Sequence, residues 1–169
     1  MLQRPNLQHG MSWIEFAAVV ALLAVLSVIL AQRLTAYQEL AERADMEFGA
    51  TVLKSALRMR LSAMMVEGKM QETARLVCEN PVSWLDKNPP NYFGEAHGEM
   101  VKKVTLGSWY FDPMECSMGY MVRHGKGFRP DSQGMKRIRY RVKATSLNAG
   151  NIPVGLRFEL VEPYAWAAQ

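Results

Sequence analysis

The residues able to do chemistry are few and widely spaced. Glu15 is the only ionisable side chain in the 21-residue run Met11 to Ala31, MSWIEFAAVVALLAVLSVILA. As a helix that run spans roughly 31 Å, about the thickness of a bilayer's hydrocarbon core. A carboxylate at that depth costs about 2.5–3.5 kcal/mol on insertion scales, so it is expected to be compensated and functional. Cys78 and Cys116 suffice for one disulfide in an oxidising compartment. With His97 and His124 they make up a zinc or Cys-His set by composition, but their spacing matches no compact ligand pattern. Asp131-Ser132-Gln133-Gly134 opens like a calcium loop and lacks the later acidic ligands. Finally, Arg137, Arg139, Arg141 and Lys143 alternate with Ile138, Tyr140 and Val142, which places four cations on one face of a strand. Such a face can grip a phosphate backbone, with Tyr120 or Tyr140 nearby for stacking. The plainer expectation is a solvated face, or one paired with acidic groups of neighbouring subunits in an assembly.

These groups need elements to hold them. From Leu34 to Met65 there is no proline, and Leu34, Tyr37, Ala41, Ala44, Phe48, Leu53, Leu57, Leu61 and Met64 recur in helical steps. The spacing predicts that a helix continues past the apolar run and stops near Gly68, with the charged residues Glu39, Glu42, Arg43, Asp45, Glu47, Lys54, Arg58 and Arg60 mostly elsewhere on the wheel. Residues 70–78 read as a second short helix. The proline-rich stretch from Asn80 to Asn91 reads as a loop pinned to the core by Trp84, Tyr92 and Phe93. Four antiparallel strands follow: 108–111 and 119–123 as a hairpin, then 137–144 and 154–161, the last two separated by the turn Asn148-Ala149-Gly150-Asn151. A bridge between Cys78 and Cys116 would tie the second helix to the hairpin and close a loop of about 37 residues.

The chain of 169 residues, 49% hydrophobic and 21% charged, has room for one packed domain and an appendage, not for two catalytic lobes. The net charge of +4 is uneven. Residues 35–100 hold seven basic and ten acidic side chains, and residues 101–145 hold ten basic and three acidic. There is no G-x-S-x-G, no H-E-x-x-H and no phosphate-binding glycine loop, so the expectation is a protein that is not an enzyme, with no cofactor and no metal. Ahead of the apolar run, the leader MLQRPNLQHG carries Arg4, while residues 33–47 carry two basic and four acidic side chains. The leader is therefore expected to stay cytoplasmic and the remainder to cross. Val28-Ile29-Leu30-Ala31 makes a poor signal-peptidase site.

Gly10, Met11 and Glu15, followed by a spanning apolar run, resemble the class III leader of type IV pilins and type II secretion pseudopilins. The resemblance covers about the first 35 residues. It implies cleavage between Gly10 and Met11 by a membrane prepilin peptidase, and N-methylation of Met11. It also implies a role for Glu15 in assembly, beside the new α-amine of a neighbouring subunit. The blocks NPVSWLDKNPPNYFGE and GSWYFD faintly resemble minor pilin-like proteins from biogenesis loci of the mannose-sensitive haemagglutinin type. The chain departs from the family pattern in having Met11 where Phe is commoner and Gln32 where many members have proline. The fold expected from the resemblance, and independently from the pattern of elements, is α+β: a long N-terminal helix packed on a small antiparallel sheet. Its parts would be a leader over 1–10, a membrane and filament-core helix over 11–34, and an exported globular domain over 35–169. The expected function is that of a structural subunit of a type IV pilus serving adhesion or motility, with prepilin peptidase, other pilin subunits and the inner-membrane assembly platform as partners. The alternatives are a secretion pseudopilin, or a membrane-anchored periplasmic module binding an anionic ligand such as DNA through the basic sheet face.

Overall fold

The computed structural model describes residues 12–147 and 153–167. Gly10, Met11 and the turn expected at 148–151 lie outside the described residues. Contacts divide the chain into two units, 1–37 and 38–169. The fold is α+β, a long N-terminal helix whose later part packs on a five-stranded mixed sheet.

Helix α1 runs Trp13–Val66 and contains no proline and a single glycine, Gly49, so nothing within it interrupts the hydrogen-bond ladder. It ends in a Schellman motif. Gly68 takes φ +72°, its N–H donates to the Met65 carbonyl, and the Lys69 N–H donates to the Met64 carbonyl. The first unit consists largely of the apolar start of α1, whose large side chains from Trp13 to Leu34 are exposed. By length and composition this stretch can cross a membrane.

In the second unit the buried face of α1 is Glu39, Glu42, Met46, Ala50, Leu53, Ala56, Leu57 and Met64. The expected stripe therefore holds at Leu53, Leu57 and Met64 and is corrected at its start. Ala41, Ala44 and Phe48 face outward, Phe48 with 71% of its surface exposed, while two glutamates take the inner positions. The reason lies elsewhere in the chain, where residues 120–127 and 166 supply donors to those carboxylates.

The strands are β1 (Tyr92–Glu95), β2 (Trp109–Asp112), β3 (Ser117–Met121), β4 (Arg137–Leu147) and β5 (Pro153–Leu160), hydrogen-bonded in chain order. The four antiparallel strands become five, because β1 joins β2 in parallel. Parallel neighbours need a crossover of about a dozen residues, and the segment between Glu95 and Trp109, carrying a 3₁₀ turn at Gly98–Lys103, supplies it. β1 has only four residues and follows Pro89-Pro90, so no alternation marks it in the sequence. The second helix expected over 70–78 is a 3₁₀ helix at Met70–Val77 that buries Thr73 and Leu76.

One sheet face meets α1. Trp109, Phe111, Met118, Tyr120, Ile138, Val142 and Phe158 pack with Met46, Leu53 and Leu57, and the core takes in Leu76, Val82, Phe128 and Trp166. Each such side chain contributes about 1.5–3 kcal/mol on burial. Gly49 lets α1 approach the sheet closely, since a Cβ there would lie 3.0 Å from the Trp109 indole nitrogen. Trp84 and Tyr92 pack against this core as expected of the loop, whereas Phe93 is exposed. The opposite sheet face is covered in part by Ala96, Val101 and Val104 over Tyr110 and Met121. The Tyr110 ring lies over Gly119, where there is no room for any side chain.

Candidate functional site

Glu15 sits in the first turn of α1. Its Oε2 accepts a hydrogen bond from the Ser12 backbone N–H at 3.1 Å, and the Ser12 hydroxyl accepts from the Ile14 N–H at 3.4 Å. This is the reciprocal arrangement of a capping box, serine at the cap and glutamate three residues later. The Ser12-x-x-Glu15 spacing is visible in the sequence, and the capping role it gives this carboxylate was overlooked. Around it the helix surface is apolar and exposed, from Trp13, Ile14 and Phe16 through Leu30 and Leu34.

Two polar clusters are built inside the second unit. In the first, α1 presents two buried carboxylates. Glu42 accepts from the Tyr120 hydroxyl (3.1 Å), the backbone N–H groups of Arg123 and His124 (2.6 Å each), and lies 2.8 Å from His124 Nδ1. Glu39 accepts from the Gly127 N–H (3.0 Å) and the Trp166 indole N–H (2.9 Å). Arg43 extends the clasp by donating to the Trp166 carbonyl at 3.2 Å. Trp166 in turn forms a backbone bridge with Phe128, and their rings meet edge to face at 5.5 Å. The helix thus fastens the 123–128 loop and the segment around Trp166. Burial, with the Glu42 carboxylate alongside, pushes the Tyr120 phenol well above its ordinary range.

The second cluster corrects the reading of four cations along one open face. Arg137 and Arg139 do lie opposite the core face, but the 129–135 loop and two distant acids cover them. The Arg137 side chain is 2% exposed, with Nε 2.6 Å from Asp131 Oδ2, Nη1 3.0 Å from the Tyr110 hydroxyl and Nη2 2.7 Å from Gln133 Oε1. The Arg139 side chain is 8% exposed and reaches Glu115 at 2.5 Å and Glu162 at 3.0 Å. Asp131 Oδ1 also accepts from the N–H groups of Gln133 and Met135 at 3.0 and 2.8 Å. Burial pushes the Asp131 carboxyl upward, but the bonds from Arg137, Met135 and Gln133 outweigh it and hold the group below the usual range. The hydrogen bond from Arg139 holds Glu162 below its usual range as well. Arg141 is exposed, and Lys143 is exposed but lies 3.3 Å from Glu159. Tyr120 is in the core and Tyr140 stacks on Phe158 at 5.1 Å, so neither ring is open for a base.

Cys78 and Cys116 are joined as a disulfide, with Cα atoms 4.7 Å apart. The bridge fixes the β2–β3 turn, where Asp112 Oδ1 accepts from the N–H groups of Met114 and Glu115 and Cys116 adopts φ +49°. Replacing both cysteines by serine is expected to lower folding stability by about 3–4 kcal/mol, from the entropy returned to the unfolded chain. Urea unfolding of the two proteins side by side checks it. His124 is engaged with Glu42 rather than with the two cysteines. Among the described residues no three His, Cys, Asp or Glu side chains are grouped to hold a metal ion.

The sequence reasoning missed Glu39, Glu42 and Trp166 in the first cluster and Asp131, Glu115 and Glu162 in the second. None had a local pattern announcing it, apart from the turn-forming character of Asp131-Ser132-Gln133-Gly134. Comparison with protein-family models, with curated proteins and with solved structures finds no match to this chain.

Proposed function

We propose that this chain is a pilin-type structural subunit. In this reading it is cut between Gly10 and Met11 by prepilin peptidase and methylated at Met11. It is held in the inner membrane by the start of α1, with the second unit in the periplasm, and is then built into a pilus. The observation that carries the reading is the exposed apolar face from Trp13 to Leu34, with Glu15 in its first turn as the sole ionisable side chain up to Gln32. Such a surface is stable only in lipid or against other apolar helices. A folded α+β unit on the same chain suits a subunit carried on a helical stem. A secretion pseudopilus uses the same parts and stands as the sister reading. The buried pairing of Arg137 and Arg139 removes the main support for a DNA-binding module.

The direct test is the N-terminus of the protein made in a host with a prepilin peptidase. A chain starting at N-methylated Met11 supports the proposal, and one retaining Met1 or cut near Ala31 overturns it. Glu15→Gln refines the test, because glutamine preserves the capping bond to Ser12 while removing the charge. Membrane insertion should persist, while polymer recovered from cells should fall about tenfold or more. A register contribution of only about 1.4 kcal/mol per subunit is already tenfold in an equilibrium constant. Undiminished polymer would assign Glu15 to capping alone.

A further inference from the structure

β5 closes one side of the sheet and pairs only with β4. Among the described residues, no backbone hydrogen bond from another segment reaches its outer edge. The 3₁₀ helix at Met70–Val77 packs on β4 and β5, but an edge whose backbone groups have no partner strand is a template for another strand. The opposite edge, β1, is half as long.

The sequence along β5 indicates which strand fits. Phe158 is buried in the core and Leu156 packs against it, while Arg157 and Glu159 project to the other face. Arg157 lies directly opposite Lys143, a like-charge pair, and Glu159 lies opposite Arg141 while bonding Lys143. Like charges across a ladder are destabilising. Among the described residues no acid pairs with Arg157, so a partner strand bringing a carboxylate to its free side would relieve the repulsion.

The run Leu156-Arg157-Phe158-Glu159-Leu160 carries that carboxylate itself, in a pattern symmetric about Phe158. We infer that two copies of this chain join β5 to β5, antiparallel, with Phe158 opposite Phe158 of the second copy. In that register Arg157 faces Glu159 of the second copy, twice by symmetry, and Leu156 faces Leu160. Sliding by two residues brings Arg157 to Arg157, or Glu159 to Glu159, across the two-fold axis. Sliding by one puts an apolar face against a charged one. One register alone is therefore complementary, and the interface is the self-matching kind that two-fold dimers require. Pro153, which has no N–H to donate, and the irregular pairing around Ser146 confine the contact to the second half of β5. This surface belongs to the second unit, and the inference does not rest on pilus assembly.

The test uses the full chain in detergent micelles, with mass measured by sedimentation and light scattering across a concentration series. The wild-type protein should be dimeric. Arg157→Glu and Glu159→Arg should each weaken self-association about tenfold, since each converts two attractive cross-strand pairs into repulsive ones. Mixing the two variants under different tags should restore a heterodimer, because every facing pair is then opposite in charge. If Glu159→Arg fails to fold on losing its bond to Lys143, wild type mixed with Arg157→Glu provides the second arm. That pair keeps one of its two Arg–Glu contacts and should bind with intermediate affinity. A monomeric wild type overturns the inference. So does a dimer indifferent to Arg157→Glu, which would be held through its apolar helices or by another face.

Discussion

Asp131→Ala lowers folding stability by about 3–5 kcal/mol, the range for removing one partner of a buried ion pair. Asp131 and Arg137 side chains are each 2% exposed, so the guanidinium cannot turn to water when the carboxylate is lost. It would keep only the Tyr110 hydroxyl and the Gln133 side-chain oxygen. The N–H groups of Gln133 and Met135 would lose their shared acceptor at the same time, which loosens the loop covering the cluster. Asp131→Leu combined with Arg137→Met should recover much of the loss, because the pair is costly chiefly when broken. Thermal unfolding of the two variants beside wild type measures both effects. The same pair sets an acid limit. Asp131 titrates lower folded than unfolded, so its contribution is fully present above the unfolded value of about 3.9 and is lost as pH falls through the folded value. The alanine variant should therefore show a flatter stability profile than wild type in acid.

Glu42→Ala should cost about 3–4 kcal/mol and act mainly on one loop. The carboxylate is 8% exposed and serves the Tyr120 hydroxyl, two consecutive backbone N–H groups and the His124 ring. Each buried donor left without an acceptor costs about 1–3 kcal/mol, partly recovered where water can enter. The Arg123 and His124 amides should lose hydrogen-exchange protection, whereas the amides of β2 and β3 should retain it relative to global unfolding. A uniform loss across the second unit would show instead that the clasp is part of the single cooperative core. Glu42→Gln keeps an acceptor oxygen and should fall between the two.

These sites mark the boundary of what the sequence makes legible. Local periodicity exposed the apolar run, the helix to its glycine stop, the inner face at Leu53, Leu57 and Met64, and the alternation of β4. Each of these is set by neighbours three, four or two residues away. Burial of Glu39 and Glu42 depends on donors about 80 to 130 positions later in the chain. The Arg137 and Arg139 face was assigned correctly by alternation, but alternation does not say what lies over a face. The acids doing so come from a turn, a loop and the segment after β5. β1 escaped because four residues beside a double proline carry no period, and its pairing is dictated by the crossover that follows it. At Glu15 the capping signal was present and local, in the Ser12-x-x-Glu15 spacing, and went unread beside the cost of a charge in an apolar run.

The Cys78–Cys116 bond also decides how the chain bears load. Tension applied between α1 and the segment after β5 passes from residue 78 to residue 116 through sulfur, so the intervening chain, including β1 and β2, is a slack ring outside the line of force. That ring holds back roughly 130 Å of extended chain. Under oxidising conditions a stretched molecule therefore reaches its limit early with the ring unextended, whereas a reduced one extends to its full length. A single covalent link thus makes the mechanical reach of the protein a function of the redox state of its surroundings.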